Sequence, residues 1–234
     1  MLTSDQVLHY HENGYTVPDY RLSNEVLADI RSDHDRLILR NPQFRNYCPN
    51  LLAHDLCFLN YARIPKILDM VEQILGSDFA LWNSSFFAKP ACDGQATPWH
   101  QDAPYYCVDG PKTLSLWIPL DDVPRETTLE FLAGSHKWGK YYRPQRFNGE
   151  ALNADDGLEE IPDINNLRDD YEIIGWDVAP GDAIAFDYRT IHGAPANTSK
   201  STQRRAFSLR LLGDDVRFAR REGIVTSQPF TQVT

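Results

Sequence analysis

Apolar residues recur at helical spacing in the first third of the chain and alternate in short runs afterwards, which predicts N-terminal helices followed by a β-rich core. Thr3-Ser4-Asp5-Gln6 has the form of a capping box, and Gly14 is a natural stop. Ser23 can cap a second helix in which Val26, Leu27, Ile30, Leu37 and Ile38 fall on one side. Pro65, at a first-turn position, opens a third that carries Ile67, Leu68, Val71, Ile74 and Leu75 and closes at Gly76.

From residue 79 the period changes. Aromatic and β-branched runs at Phe79–Lys89, 113–120, 128–132, 173–178, 183–186 and 206–212 are separated by Gly, Pro and Asp, the pattern of an all-β sandwich or barrel. We expect one domain over 1–234, with a helical segment at 1–76 and the β core at 79–234. The stretch 140–172 fits neither period and reads as an insertion. Between Glu150 and Glu172 it carries nine acidic residues against one base, Arg168, which suits either a solvated excursion or a lid.

At 234 residues, 42% hydrophobic and 24% charged, the chain can bury a sizeable core. Its net charge of -10 disfavours nucleic acid and anionic membranes as partners. Arg210, Arg217, Arg220 and Arg221 supply a candidate local basic patch. Cys48, Cys57, Cys92 and Cys107 have no metal-site spacing and read as thiols of a reducing compartment. No signal peptide and no membrane-spanning run is evident, so a cytoplasmic location is expected.

The chemistry begins at Thr97-Pro98-Trp99-His100-Gln101-Asp102. Residues two apart on a strand share a side, so His100 and Asp102 offer a nitrogen and a carboxylate together. That is two-thirds of the 2-His-1-carboxylate triad of non-haem iron(II) oxygenases. Taken alone, such a pair is more often a surface contact. For the second histidine, His9, His11, His34 and His54 lie in the helical third. His136 sits in a Gly-containing turn, where a solvent-facing or capping role is natural. His192, after the run Ala183-Ile184-Ala185-Phe186, would face into a barrel. In Arg204-Arg205-Ala206-Phe207-Ser208-Leu209-Arg210, alternation separates the Arg204 and Arg205 faces without saying which is inward.

Several blocks in order resemble the phytanoyl-CoA dioxygenase family of 2-oxoglutarate oxygenases. They are the Gln6–Tyr15 segment, Trp99-His100-Gln101-Asp102, Leu116-Trp117-Ile118-Pro119-Leu120-Asp121-Asp122, Gly134-Ser135-His136-Lys137-Trp138-Gly139, Gly181-Asp182, His192-Gly193, Asn197 and Arg204-Arg205-Ala206. The resemblance implies a double-stranded β-helix, the cupin-like jelly roll, with N-terminal helices packed on one sheet. It implies iron(II) bound by His100, Asp102 and His192, with His136 structural. It matches Arg204 to the arginine that binds the distal carboxylate of 2-oxoglutarate, and Trp117 to a tryptophan lining that pocket. Ser85 and Lys89 fall on the strand that approaches the cosubstrate. The interval from His192 to Arg204 is one residue longer than the usual form.

The implied reaction is hydroxylation of an unactivated C–H bond in a small organic substrate, using dioxygen and releasing succinate and CO2. Related halogenases lack the carboxylate that Asp102 supplies. Desaturation, cyclisation or epimerisation with the same cofactors is the alternative within enzymes. A jelly-roll protein that binds a metal or ligand without turnover is the alternative outside them.

Overall fold

The structure, a computed structural model, describes residues 2–153 and 157–221. Four helices, α1 (Ser4–Asn13), α2 (Asn24–Arg40), α3 (Phe58–Ala62) and α4 (Pro65–Leu75), occupy the first third. The strands are β1 (Tyr15–Thr16), β2 (Tyr47–Cys48), β3 (Phe79–Lys89), β4 (Thr97–His100), β5 (Val108–Asp109), β6 (Thr113–Pro119), β7 (Glu130–Leu132), β8 (Ile173–Ile174), β9 (Ile184–Phe186), β10 (His192–Ala194), β11 (Arg204–Gly213) and β12 (Arg217–Phe218).

Thr3 and Gln6 form the expected reciprocal cap of α1, and Pro65 opens α4. Helix α4 buries Ile67, Met70, Val71, Ile74 and Leu75, each contributing about 1.5–3 kcal/mol of transfer free energy. An aspartate at Val71, which is wholly buried, would break this packing. Helix α3 has neither a side-chain cap nor a proline at its start, so no local signal announces it.

Two antiparallel sheets face each other, in the orders β1-β9-β6-β11-β3-β2 and β4-β10-β7-β8, as a double-stranded β-helix. Alternation along β11 assigns its two faces. Phe207, Leu209 and Leu211 join Phe86, Leu116 and the helices in one apolar cluster. Ala206 faces the other way, into the core between the sheets with Trp117, Phe131, Ile184 and Phe186. Arg204, Ser208 and Arg210 share that inner side.

Two expectations change here. The run 173–178 pairs only as β8, with Val178 forming a lone bridge to Val123. Much of the insertion is a packed layer: Tyr142 and Ile164 join Trp99, Leu132 and Ile191 on the outer face of the smaller sheet. Asp155 and Asp156 of its acidic run lie outside the described residues. All four cysteines are free thiols, and no helix among the described residues is long and apolar enough to cross a membrane.

Candidate metal centre and cosubstrate site

Strands β4 and β10 pair so that His192 lies directly opposite His100, with ring centroids 4.2 Å apart. Each imidazole directs Nδ1 at a backbone carbonyl two residues earlier, His100 at Pro98 (2.8 Å) and His192 at Thr190 (3.0 Å). A carbonyl can only accept, so both rings donate from Nδ1 and keep the Nε2 lone pair for the centre. Asp102 Oδ1 lies 3.7 Å from His100 Nε2 and 3.8 Å from His192 Nε2. The three ligand atoms fall within 4.8 Å of one another. With metal–ligand bonds of about 2.1 Å, adjacent octahedral corners lie about 3 Å apart, so a small inward movement would seat an ion on one face.

Asp102 reaches this point differently from the sequence expectation. Strand β4 ends at His100, and Asp102 has helical dihedrals at the head of a 3-10 turn. The turn is fixed by buried Gln101, whose amide donates to the carbonyls of Lys140 and Arg189 and accepts from Tyr142 N–H. Behind Asp102, Ser115 Oγ donates to Oδ2 (2.7 Å), and Arg210 Nε lies 3.0 Å from the same oxygen. That Nε is off the hydrogen-bond axis, so the contact is an ion pair. Burial alone would raise the Asp102 pKa, but Arg210 and then the two imidazoles outweigh it and hold the carboxyl well below its usual range. Burial, followed by the neighbouring His100, pushes His192 down to about 3, which keeps it neutral.

Arg210 therefore belongs to no surface patch. It is buried, donates to Ser208 Oγ, and packs its guanidinium 5.8 Å from the Phe87 ring centroid. The signal was present in the sequence, since Arg210 shares the face of Arg204. Of the two roles expected for His136, the structure shows the capping one. This histidine is buried rather than solvent-facing, and its Nε2 contacts the His11 carbonyl at the end of α1. Gly14 at that end has φ +83, and a Cβ there would lie 2.4 Å from Thr190 Oγ1 and 2.6 Å from His136 Nδ1. The Gly-Ser-His turn thus docks the helix against the strand leading to His192.

Of the residues matched to the cosubstrate, Arg204 lies directly opposite Lys89 across β11 and β3. Arg204 is buried and donates to the Thr127 carbonyl, and no carboxylate of the described residues pairs with it. Burial lowers its pKa to about 10, opposed by the more distant Asp93. Arg205 reaches across the other face to Asp121 (2.8 Å) and Asp35 (3.4 Å) and is itself buried. Lys89 Nζ donates to the carbonyls of Gln95 and Pro195. Burial, then Arg204, pushes it down to about 7. Trp117 is buried opposite Ser208 and Ile184. Ser85 also lies opposite Ser208, but its hydroxyl is spent on the Pro49 carbonyl.

A cavity of about 550 Å³ adjoins Arg204 and is also lined by Asp122, Asp177 and Asp182. Arg21 also lines it, paired with Asp182, and none of His100, Asp102 and His192 does.

The family model for phytanoyl-CoA dioxygenase matches residues 10–206. The chain belongs to this family. This phytanoyl-CoA dioxygenase family member is an iron- and 2-oxoglutarate-dependent oxygenase, which sets aside the reading as a binder without turnover. It is 25% identical over 222 residues to an ectoine dioxygenase of Nocardia farcinica, covering 83% of this chain and 72% of that protein. Identity to an L-proline trans-4-hydroxylase of Streptomyces griseoviridis is 32% over 160 residues, 63% of this chain and 59% of that one. Among solved structures, the epimerase SnoN in complex with Fe3+, alpha ketoglutarate and nogalamycin RO superposes with a TM-score of 0.77 at 18% identity, covering 98% of this chain and 90% of that chain.

Proposed function

We propose that this enzyme hydroxylates an unactivated C–H bond of a small organic molecule, converting 2-oxoglutarate to succinate and CO2. His100, Asp102 and His192 would hold iron(II), leaving three positions open. Arg204 would bind the distal carboxylate of 2-oxoglutarate, with Lys89 beside it and Trp117 as a wall. The bound iron and cosubstrate supply the oxidising power, and the protein supplies geometry and exclusion of water.

The observation that carries this reading is a pair of complementary defects. Two Nε2 atoms and Oδ1 converge on one point, and buried Arg204 has no carboxylate partner among the described residues. Iron(II) and a dicarboxylate remedy both. The fully formed Asp102 ligand favours hydroxylation over halogenation, because no ligand position is vacated for a halide. Epimerisation is the second reading, supported by the likeness to SnoN.

The experiment is a screen of small metabolites with iron(II), 2-oxoglutarate and labelled dioxygen, following succinate and product mass. Hydroxylation adds one labelled oxygen to the product. Succinate formation with an isomeric, unlabelled product would replace hydroxylation by epimerisation. Alanine at His100, Asp102 or His192 should abolish metal binding, whereas His136→Ala should retain it.

A further inference from the structure

Arg210 is a buried cation that no part of the proposed reaction uses. Its Nε sits 3.0 Å from Asp102 Oδ2, the oxygen turned away from the two imidazoles, and Ser115 Oγ holds that oxygen from a second side. Ser208 and the Phe87 ring fix the guanidinium in turn. Register places Arg210 opposite Ser115 on β6 and opposite Asn83 on β3, next to a bulge in the β11–β3 pairing. Two neighbouring strands therefore deliver both groups that grip one carboxylate oxygen.

We propose that Arg210 is a positioning residue that restricts Asp102 to one-oxygen ligation. The inference rests on the reading of Asp102 as a metal ligand. A carboxylate free to turn about Cβ–Cγ can offer a metal both oxygens and fill a second coordination position. With Oδ2 held from behind, only Oδ1 reaches the centre. The remaining positions of a bound iron(II) would then stay available, and 2-oxoglutarate would need two of them. The grip favours cosubstrate binding while adding no ligand of its own. A supporting side chain of this kind is worth roughly 10–100-fold in known metal sites.

The test loads full-length protein with Mn(II) or Co(II) and compares Arg210→Met with Arg210→Lys. Both side chains are unbranched, and only lysine keeps a cation to pair with Oδ2. Arg210→Met should still bind Mn(II), yet its metal-loaded form should bind 2-oxoglutarate about tenfold more weakly, and its Co(II) visible bands should shift. Arg210→Lys should stay within about threefold of the parent and keep the parent bands. Equal weakening in both variants, or weakening in Arg210→Met without a band shift, would show that the ion pair does not position Asp102, overturning the proposal. Unchanged cosubstrate affinity in Arg210→Met would overturn it as well, even if that variant melts at a lower temperature. If Arg210→Met does not fold, Ser115→Ala removes the other grip and should give a smaller weakening with the same band shift; no change would count against the proposal. Asp102→Ala separates the two levels. Retained Mn(II) binding there removes the triad reading itself, whereas lost binding beside an unaltered Arg210→Met removes only the positioning role.

Discussion

Adjacent residues with identical chemistry receive opposite roles here because a strand alternates. Arg205 is consumed by Asp121 and Asp35, while Arg204 is buried with a carbonyl as its partner. Removing a charged partner from a buried carboxylate costs about 2–5 kcal/mol. Arg204→Ala should therefore raise the apparent 2-oxoglutarate constant at least roughly thirtyfold. Arg205→Ala should leave that constant nearly unchanged and lower the melting temperature. A titration giving the reverse would place the strand register one residue off. Lys89 adds a proton signature. With its pKa pushed down to about 7 it is mostly neutral at pH 8, and a dicarboxylate docked beside it favours the charged form. Binding should then take up a proton, and affinity should fall as pH rises above 7. Calorimetry at pH 8 in buffers of different ionisation enthalpy reads the uptake, and Lys89→Met should abolish it. Buffer-independent heats with the parent protein would remove Lys89 from the site. Residue types and parity made these candidates legible from sequence alone. The partners did not show, because Asp35 and Asp121 are distant in sequence from Arg205.

At the level of elements, legibility followed the strength of local signals. The capping box, Pro65 and Gly76 announced α1 and α4, and the long apolar strands β3, β6 and β11 were plain. Strand β10 has three residues and β1 two, too few for any period to show, although β10 carries His192. Asp102 was named for a strand geometry it does not adopt; the Gln101 contacts that turn the chain come from Lys140, Tyr142 and Arg189. The insertion is the element whose composition misleads most. Its acidic surface suggests a free cover, yet Tyr142 and Ile164 are buried, and Trp99 Nε1 donates to Asn165. Around Gln145 and Phe147 the segment turns toward the site: Phe147 meets Tyr47, and Gln145 is tied to the Tyr105 hydroxyl, whose ring stands edge-on to His100. Hydrogen exchange should therefore divide the segment. The amides of Tyr142, Arg143 and Gln145, all bonded within the protein, should exchange slowly. Those around Phe147 should exchange faster and slow on ligand binding. Uniformly fast exchange across 140–172 would restore the whole segment as a mobile cover.

For the molecule as a whole, three buried histidines govern the response to acid, and Lys89, pushed down to about 7, adds to it in the same direction. His34 packs 4.4 Å from Phe86. Neither of its ring nitrogens makes a hydrogen bond among the described residues, although Asp35 lies 3.5 Å from Nδ1. Burial, then Arg205, lowers its pKa. Burial lowers His136 against the opposing His11 carbonyl, and His192 falls to about 3. Each has a folded pKa below its unfolded value, so below about pH 6.5 the unfolded chain binds protons that the folded chain does not. Stability must then fall as pH drops from 6.5 toward the folded values. For His192 alone, the loss between pH 7.5 and 5.5 is about 1.4 kcal/mol, and His34 and His136 act in the same direction. Depressed carboxylates such as Asp102 contribute nothing in this window, because their unfolded pKa lies below it. Urea unfolding of the metal-free protein at the two pH values measures the sum. The midpoint should be clearly lower at pH 5.5, and His34→Phe, which suits the ring's apolar surroundings, should reduce the difference. An unchanged or higher midpoint at pH 5.5 would mean that the histidines are not held neutral, and that water or a counter-charge reaches them in the folded protein.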